Sequence, residues 1–414
     1  MSSLLITGIK CLVNTRKQNQ LLRGKALADL PGIENAYLII EDDEIAEYGR
    51  MYELAASGNR PSKTIDASGQ FILPAWCDSH THLVFAASRE EEFVNKIKGM
   101  SYAEIAAKGG GILHSAEKLN AASPDELFNL AWARLEELSQ LGTGAIEIKS
   151  GYGLTVEGEL KMLRVIKKLK KTSKLSIKST FLGAHTYPQE YTDNHQGYID
   201  LIINEMLPVI AAEKLADYID VFCETGFFSA GETSIICKAG MRYGLKPKIH
   251  ANQLNLSGGV QAGVNLGAVS VDHLETMDDA TISLLANSAT IGTLLPTAAF
   301  FLRMPFQPAR KLIDAGCAIA LASDFNPGSS PSGNMNLVLA MSCIQMKMLP
   351  EEAINAATLN GAYAMELEQK LGSITVGKKA NLIFTKPIPS LAYFPYAFGS
   401  NLVGKVMING ELLS

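Results

Sequence analysis

The residues from position 78 read DSHTHLVFAASRE and place two of the chain's seven histidines one residue apart. Side chains at i and i+2 of a β-strand share a face, so His80 and His82 can aim at one point, as two imidazoles must to share a metal ion. Alone, a His-x-His pair says little. Three more histidines and an aspartate close short β-rich runs elsewhere in the chain: His185, His250, His273 and Asp324. His80, His82, His250 and Asp324 offer three nitrogens and one oxygen, a donor set suited to a single Zn²⁺ or iron ion (Fe²⁺ or Fe³⁺) with a position left for water. Asp324 by itself could equally cap the next helix, because SD precedes a Gly/Pro loop. His273 is the remaining titratable group able to take a proton from the attacking water.

These side chains need elements to hold them. Eight β-rich runs alternate with amphipathic stretches from residue 75 onward: 75–82, 142–149, 175–185, 218–224, 246–252, 268–275, 289–296 and 318–325. Eight strands alternating with helices predict an α/β fold, a (β/α)₈ TIM-type barrel with its reactive groups at the C-terminal strand ends. Those ends also carry Lys149 and Glu224. With about two end positions per strand, seven randomly placed histidines would put only about 0.3 there. Five of the seven stand there. The fourth run ends in FCET, without the lysine that could be carbamylated to bridge two metals, so the centre reads as mononuclear. His114 and His195 fall in loop or helical regions without a partner and read as surface residues. The longest connection, 83–124, needs more than one helix and a loop, and AAKGGGI (106–112) within it suits a mobile or ligand-approaching segment.

Residues 1–73 and 371–414 read instead as short strands with polar turns. They predict a small β-sandwich domain built from both chain termini beside a barrel of residues 74–370. The bulk numbers suit this picture. Apolar residues make up 47% of 414 and charged residues 19%, with a formal net charge of −5 that argues against a nucleic-acid partner. The one basic cluster, KKLKK (167–171), reads as a solvated helix face. No apolar run approaches the roughly 20 residues of a membrane span, and the start lacks a signal-peptide layout. Six scattered cysteines without a CxxC pair read as reduced thiols of a cytoplasmic protein.

The constellation resembles the amidohydrolase superfamily, which joins a metal-bearing barrel to a β-sandwich from both chain ends. DSHTHLVFAASREEEF, AAKGGGI, EIKSGYGL, FLGAHTYPQEY, DVFCETGFF, LLPTAAFFLR and SDFNPGSSPSGNMNLVLAMSC are similar to the imidazolonepropionase family. KSGYGL and SDFNPGS are specific to that family, whereas GSITVGKKANLIF matches only the wider superfamily pattern. The resemblance implies hydrolysis of the ring amide of 4-imidazolone-5-propanoate to N-formimidoyl-L-glutamate, a step of L-histidine degradation, by a homodimer with one divalent metal ion per site. It places metal ligands at His80, His82, His250 and Asp324. Substrate contacts fall on Arg89, Tyr152, His185, Gln253, Asn326, Gly328 and Ser329.

On that reading Arg89 offers a planar fork to grip the propanoate bidentately, and Asn326 and Ser329 supply amide and hydroxyl groups to its oxygens. His273, beside Asp324, receives the water's proton; His185 steadies the developing oxyanion; and Asp324 or His273 returns a proton to the departing nitrogen. The chain departs from the family pattern at Ala75, Thr297 and Asn381, none of them a presumed ligand. Gln253 matters more, because some relatives carry Glu there and an amide cannot act as a base. A purine or cytosine deaminase would use the same metal set on an exocyclic amine, yet a carboxylate grip is pointless for an uncharged base. A non-catalytic scaffold would have no need of all four ligands together with His273.

Overall fold

In the computed structural model the structure describes residues 3–54, 61–100 and 111–413. Most of the glycine-rich segment singled out above, residues 106–110, lies outside the described residues. The chain opens with five strands, β1 (Ser3–Val13), β2 (Gly32–Glu41), β3 (Glu44–Arg50), β4 (Lys63–Asp66) and β5 (Phe71–Pro74). After a single residue, Ala75, it passes straight into the barrel.

Barrel strands β6 (Trp76–Thr81), β7 (Thr143–Lys149), β8 (Ser176–Ala184), β9 (Tyr218–Cys223), β10 (Lys246–Ala251), β11 (Ser270–His273), β12 (Ile291–Leu294) and β13 (Ile319–Leu321) pair in sequence order, every neighbour parallel. All eight fall within the runs read from the sequence. The ring closes just beyond the end of β13: Asp324 N donates to His80 O (2.9 Å) and His82 N to Phe325 O (2.9 Å). Closure is therefore made by the backbone of the candidate ligands themselves.

Helix starts carry the expected caps. Ser123 accepts from Glu126 N ahead of Pro124–Gln140, Thr155 from Gly158 N ahead of Val156–Thr172, and Asp278 from Thr281 N ahead of Asp279–Ala286. Each satisfies an amide that the first helical turn leaves without a partner. The KKLKK cluster lies on Val156–Thr172, where Lys168 and Lys170 pair with Asp125 and Asp217 while Leu169 is buried.

At the C-terminal end β14 (Leu382–Thr385), β15 (Val403–Ile408) and β16 (Glu411–Leu412) join the opening strands in a separate mixed sheet, ordered β16-β15-β14-β5-β1-β2-β3, with β4 against β1. That sheet has its own apolar core, around Ile6, Ile9, Leu12, Leu38, Ile40, Leu382 and Phe384. A much larger core lies between the barrel and its helices.

Strand alternation divides the barrel residues. Ile146, Ile148, Ile219, Val221, Ile249 and Val271 belong to the apolar core. Their neighbours Glu147, Lys149, Asp220, Lys248 and Asp272 form a wholly buried charged cluster on the other strand face, with His250 among them. A barrel interior is more often filled by branched aliphatic side chains. Here the filling is ionic.

Candidate active site

The C-terminal strand ends bring four donor atoms together. His80 Nε2 and His82 Nε2 each lie 3.5 Å from Asp324 Oδ1, and His82 Nε2 lies 3.4 Å from His250 Nε2. Donors about 2.1 Å from one cation, at the corners of a tetrahedron, stand about 3.4 Å apart. These three of the six separations match that edge. His80, His82 and His250 offer ligand atoms all within 4.8 Å of one another, as do His80, His273 and Asp324. His80 Nε2 is buried without a hydrogen-bond partner, a state that costs free energy unless something electropositive fills the gap. The residues present fit one divalent cation.

Carboxylates beneath the site fix the ring orientations. His80 Nδ1 is 2.7 Å from Asp272 Oδ2. His250 Nδ1 is 2.9 Å from Asp220 Oδ2, close enough for a charge contact but off hydrogen-bond alignment. A carboxylate on Nδ1 holds the proton there and leaves the Nε2 lone pair for a metal. Lys149 Nζ lies between these two anions, 2.8 Å from Asp220 and 3.6 Å from Asp272, and 2.6 Å from Glu147. Lys248 pairs with the other Glu147 oxygen. Burial pushes His80 and His82 well below the ordinary histidine value, helped by neighbouring positive groups, so both stay neutral. Burial pushes Asp324 up to about 6.

His273 reaches the same site by a backbone distortion. Asp272 already points inward, so a straight strand would send His273 to the helices. Its φ of 88°, followed by 64° at Leu274, breaks the alternation. Its Nδ1 faces Glu275 Oε1 at 3.3 Å, and Gln307 Nε2 donates to that same oxygen at 3.0 Å. Burial alone would lower the His273 pKa, but the Glu275 charge and hydrogen bond, with Asp324 and Asp272, carry it above its ordinary value.

A cavity of about 390 Å³ opens above these groups, and His82, Arg89, Tyr152, His185, Gln253 and Asp324 are among its lining residues. Asn326, Gly328 and Ser329 complete one wall. A larger groove of about 640 Å³ lies at the opposite, N-terminal strand ends around Lys246, Pro247 and Val269, and its lining includes no histidine. The candidate ligands His82, His250 and Asp324 line the smaller cavity.

Several residues sit differently from the sequence reading. The Arg89 fork is taken by Glu92: Nε donates to Oε1 (2.9 Å) and Nη2 to Oε2 (2.5 Å). The Asn326 amide builds its own turn, donating to Asp324 O (2.7 Å) and Ser329 Oγ (2.8 Å) and accepting from the amides of Gly328 and Ser329 (2.8 Å each). His185 Nδ1 faces Gly151 O at 2.9 Å; a carbonyl only accepts, so the ring proton is on Nδ1. Burial and His250 hold its pKa down to about 3. A neutral ring of that tautomer offers Nε2 as an acceptor, which does not suit an oxyanion. His195, expected to lack partners, stacks on Tyr187 (centroids 3.7 Å apart) and lies 3.5 Å from Glu232. Glu224 accepts from the amides of Leu254 and Asn255 and holds the loop that carries Gln253.

The sequence reading passed over Glu92, Lys96, Glu147, Glu159, Asp220, Lys248, Asp272 and Glu275. A partial signal existed: Asp78 and Lys248 stand two residues before His80 and His250, on the same strand face. Glu159 gave none.

A closed parallel barrel whose strand ends gather imidazoles and a carboxylate, beside a sheet from both termini, defines a metal-dependent amidohydrolase. The amidohydrolase family model matches residues 228–413. Solved structures with the same fold include Escherichia coli guanine deaminase (TM-score 0.75, 12% identity, covering 100% of this chain and 99% of that one). An adenosine deaminase from Xanthomonas campestris with bound zinc superposes with a TM-score of 0.70 at 16% identity, covering 99% and 92%. At such identities the likeness speaks for fold alone. Sequence goes further. The chain is 57% identical to an imidazolonepropionase of Flavobacterium johnsoniae, with 99% of each chain covered. It is 54% identical to one of Christiangramia forsetii, covering 99% of this chain and 100% of that one. The chain belongs to the imidazolonepropionase family.

Proposed function

We propose that this chain hydrolyses the ring amide of 4-imidazolone-5-propanoate to N-formimidoyl-L-glutamate, with zinc or iron as its cation. One water adds across the amide: its oxygen bonds to the ring carbonyl carbon, the carbon–nitrogen bond breaks, and the nitrogen gains a proton. The observation that carries the reading is the cluster of His80, His82, His250 and Asp324, three of whose donor separations match a tetrahedral edge, at the floor of a cavity walled by Arg89, in a chain 57% identical to a named imidazolonepropionase.

His80, His82, His250 and Asp324 would hold the cation, which supplies Lewis-acid polarisation and a lowered water pKa. His273 takes the water's proton, its basicity raised by Glu275, and passes it to the leaving nitrogen with Asp324 as neighbour. His185, neutral with Nε2 free to accept, orients a ring N–H of the substrate. Tyr152, 5.5 Å ring to ring from His185, closes the same side. Gln253 can position groups by hydrogen bonds but cannot serve as a base.

The decisive experiment incubates metal-replete protein with imidazolone propanoate and follows the ring's ultraviolet absorbance. Loss of absorbance with one N-formimidoyl-L-glutamate formed per ring is expected. An unchanged ring beside turnover of a purine or cytosine would transfer the reading to the deaminases.

A further inference from the structure

Helix Glu90–Ile97 begins at the cavity rim. Arg89, Glu92 and Lys96 are three, four and seven residues apart, so a helical path lays them along one stripe. The stripe does not balance. Glu92 is saturated, because it holds the Arg89 fork and also accepts from Gly111 N at 2.8 Å. Lys96 lines the cavity, half-buried, and among the described residues its ammonium has no hydrogen-bond or ion-pair partner. Two cations and one carboxylate leave a surplus of one positive charge at the mouth of a cavity whose floor is built for chemistry. What remains of Arg89 for a ligand is its Nη1, which stands so close to Gly328 that a Cβ there would overlap it.

We propose that Lys96 is the cation that captures the substrate's carboxylate, with Arg89, locked by Glu92, adding a single hydrogen bond from Nη1. The assignment rests on the function proposed above and selects, within it, for substrates bearing one anionic tail. Burial and the neighbouring Arg89 outweigh the opposing charge of Glu92 and push the Lys96 ammonium below its ordinary value, so it is held in a setting that an incoming anion relieves. An ammonium on a flexible stem is a point charge that can follow a mobile propanoate, whereas a guanidinium fixed at two of its nitrogens cannot. Tail and ring are then read by different parts: the stripe at the rim holds the charge, and the histidines on the floor meet the ring amide.

The test uses full-length, metal-replete protein and two probes, 3-(imidazol-4-yl)propanoate and its neutral propanamide. Calorimetry should find the carboxylate bound about 10- to 100-fold more weakly by Lys96→Met than by the unaltered chain, with the propanamide changed by less than about twofold. Methionine keeps the packing of the stem, so folding is preserved. Lys96→Arg should restore most of the lost affinity. Equal weakening of both probes, or no weakening of either, overturns the assignment. Because binding is read apart from turnover, failure of the unaltered chain to open the imidazolone ring would sink the function reading alone. The carboxylate-to-amide ratio would still decide Lys96.

Discussion

At the scale of single residues the site depends on partners that hold other partners. His273 is useful only because a disfavoured φ of 88° turns it inward and Glu275 raises its affinity for a proton. His273→Ala should therefore leave the metal bound and lower turnover by about 10²- to 10⁴-fold. Metal content and ring absorbance of the variant measure the two halves of that statement, and near-normal turnover would remove His273 from the mechanism. Lys149 acts one layer deeper. It touches no candidate ligand but lies against the two carboxylates that orient His80 and His250. Lys149→Met leaves Asp220 and Asp272 in mutual repulsion inside the barrel, so the imidazoles lose their fixed tautomer. Metal affinity should fall about 10- to 100-fold in chelator competition. An unchanged affinity would mean the carboxylates hold the rings unaided.

At the scale of elements the same logic governs loops. The KSGYGL turn owes its shape to Glu159, in the first turn of the helix that follows, whose carboxylate accepts from the amides of Gly151 (3.1 Å), Gly153 (2.7 Å) and Leu154 (3.0 Å). Glu159→Gln turns one acceptor into a donor facing those amides, at a cost of about 1–3 kcal/mol. Thermal stability should drop and KM should rise through displacement of Tyr152; a variant with the original KM would detach that loop from substrate binding. This control was hard to read in the sequence. His80 and His82 were legible because histidine is rare in this chain and a spacing of two has one meaning on a strand. The eight barrel strands were legible because β-rich runs alternate with capped helices. Glu92 was not, since three successive glutamates carry no mark of which one the helix will turn inward. Asp220 and Asp272 look like ordinary polar members of alternating strands until tertiary pairing sets a histidine opposite each. The tautomer of His185 depends on a carbonyl 34 residues away, and no local pattern encodes it.

At the scale of the whole molecule the ionic barrel interior sets a charge condition. Among the described residues the buried carboxylates around the site, Asp78, Glu147, Asp220, Asp272, Glu275 and Asp324, outnumber the buried lysines Lys149 and Lys248, an excess of negative charge that a bound cation offsets. Removing the ion should lower Tm, because a ligand that binds only the folded state stabilises it by mass action. The size of that drop should depend on pH, with a sign fixed by Asp324. Its carboxyl is pushed up to about 6 by burial in the ion-free protein, above the usual value of about 3.9. The ion-free folded state therefore holds this proton more tightly than the unfolded chain and gains stability as pH falls from about 6 toward about 4. The ion-bound state needs the carboxylate deprotonated and loses ion affinity over the same range. Both changes shrink the gap between loaded and chelated protein on acidification. Melting the two forms side by side from pH 8 to pH 5 should find the gap widest at pH 8 and narrower at pH 5 by about 1.4 kcal/mol, the worth of one pH unit below the Asp324 value. A constant gap across that range would show that Asp324 does not share the ion with His80, His82 and His250.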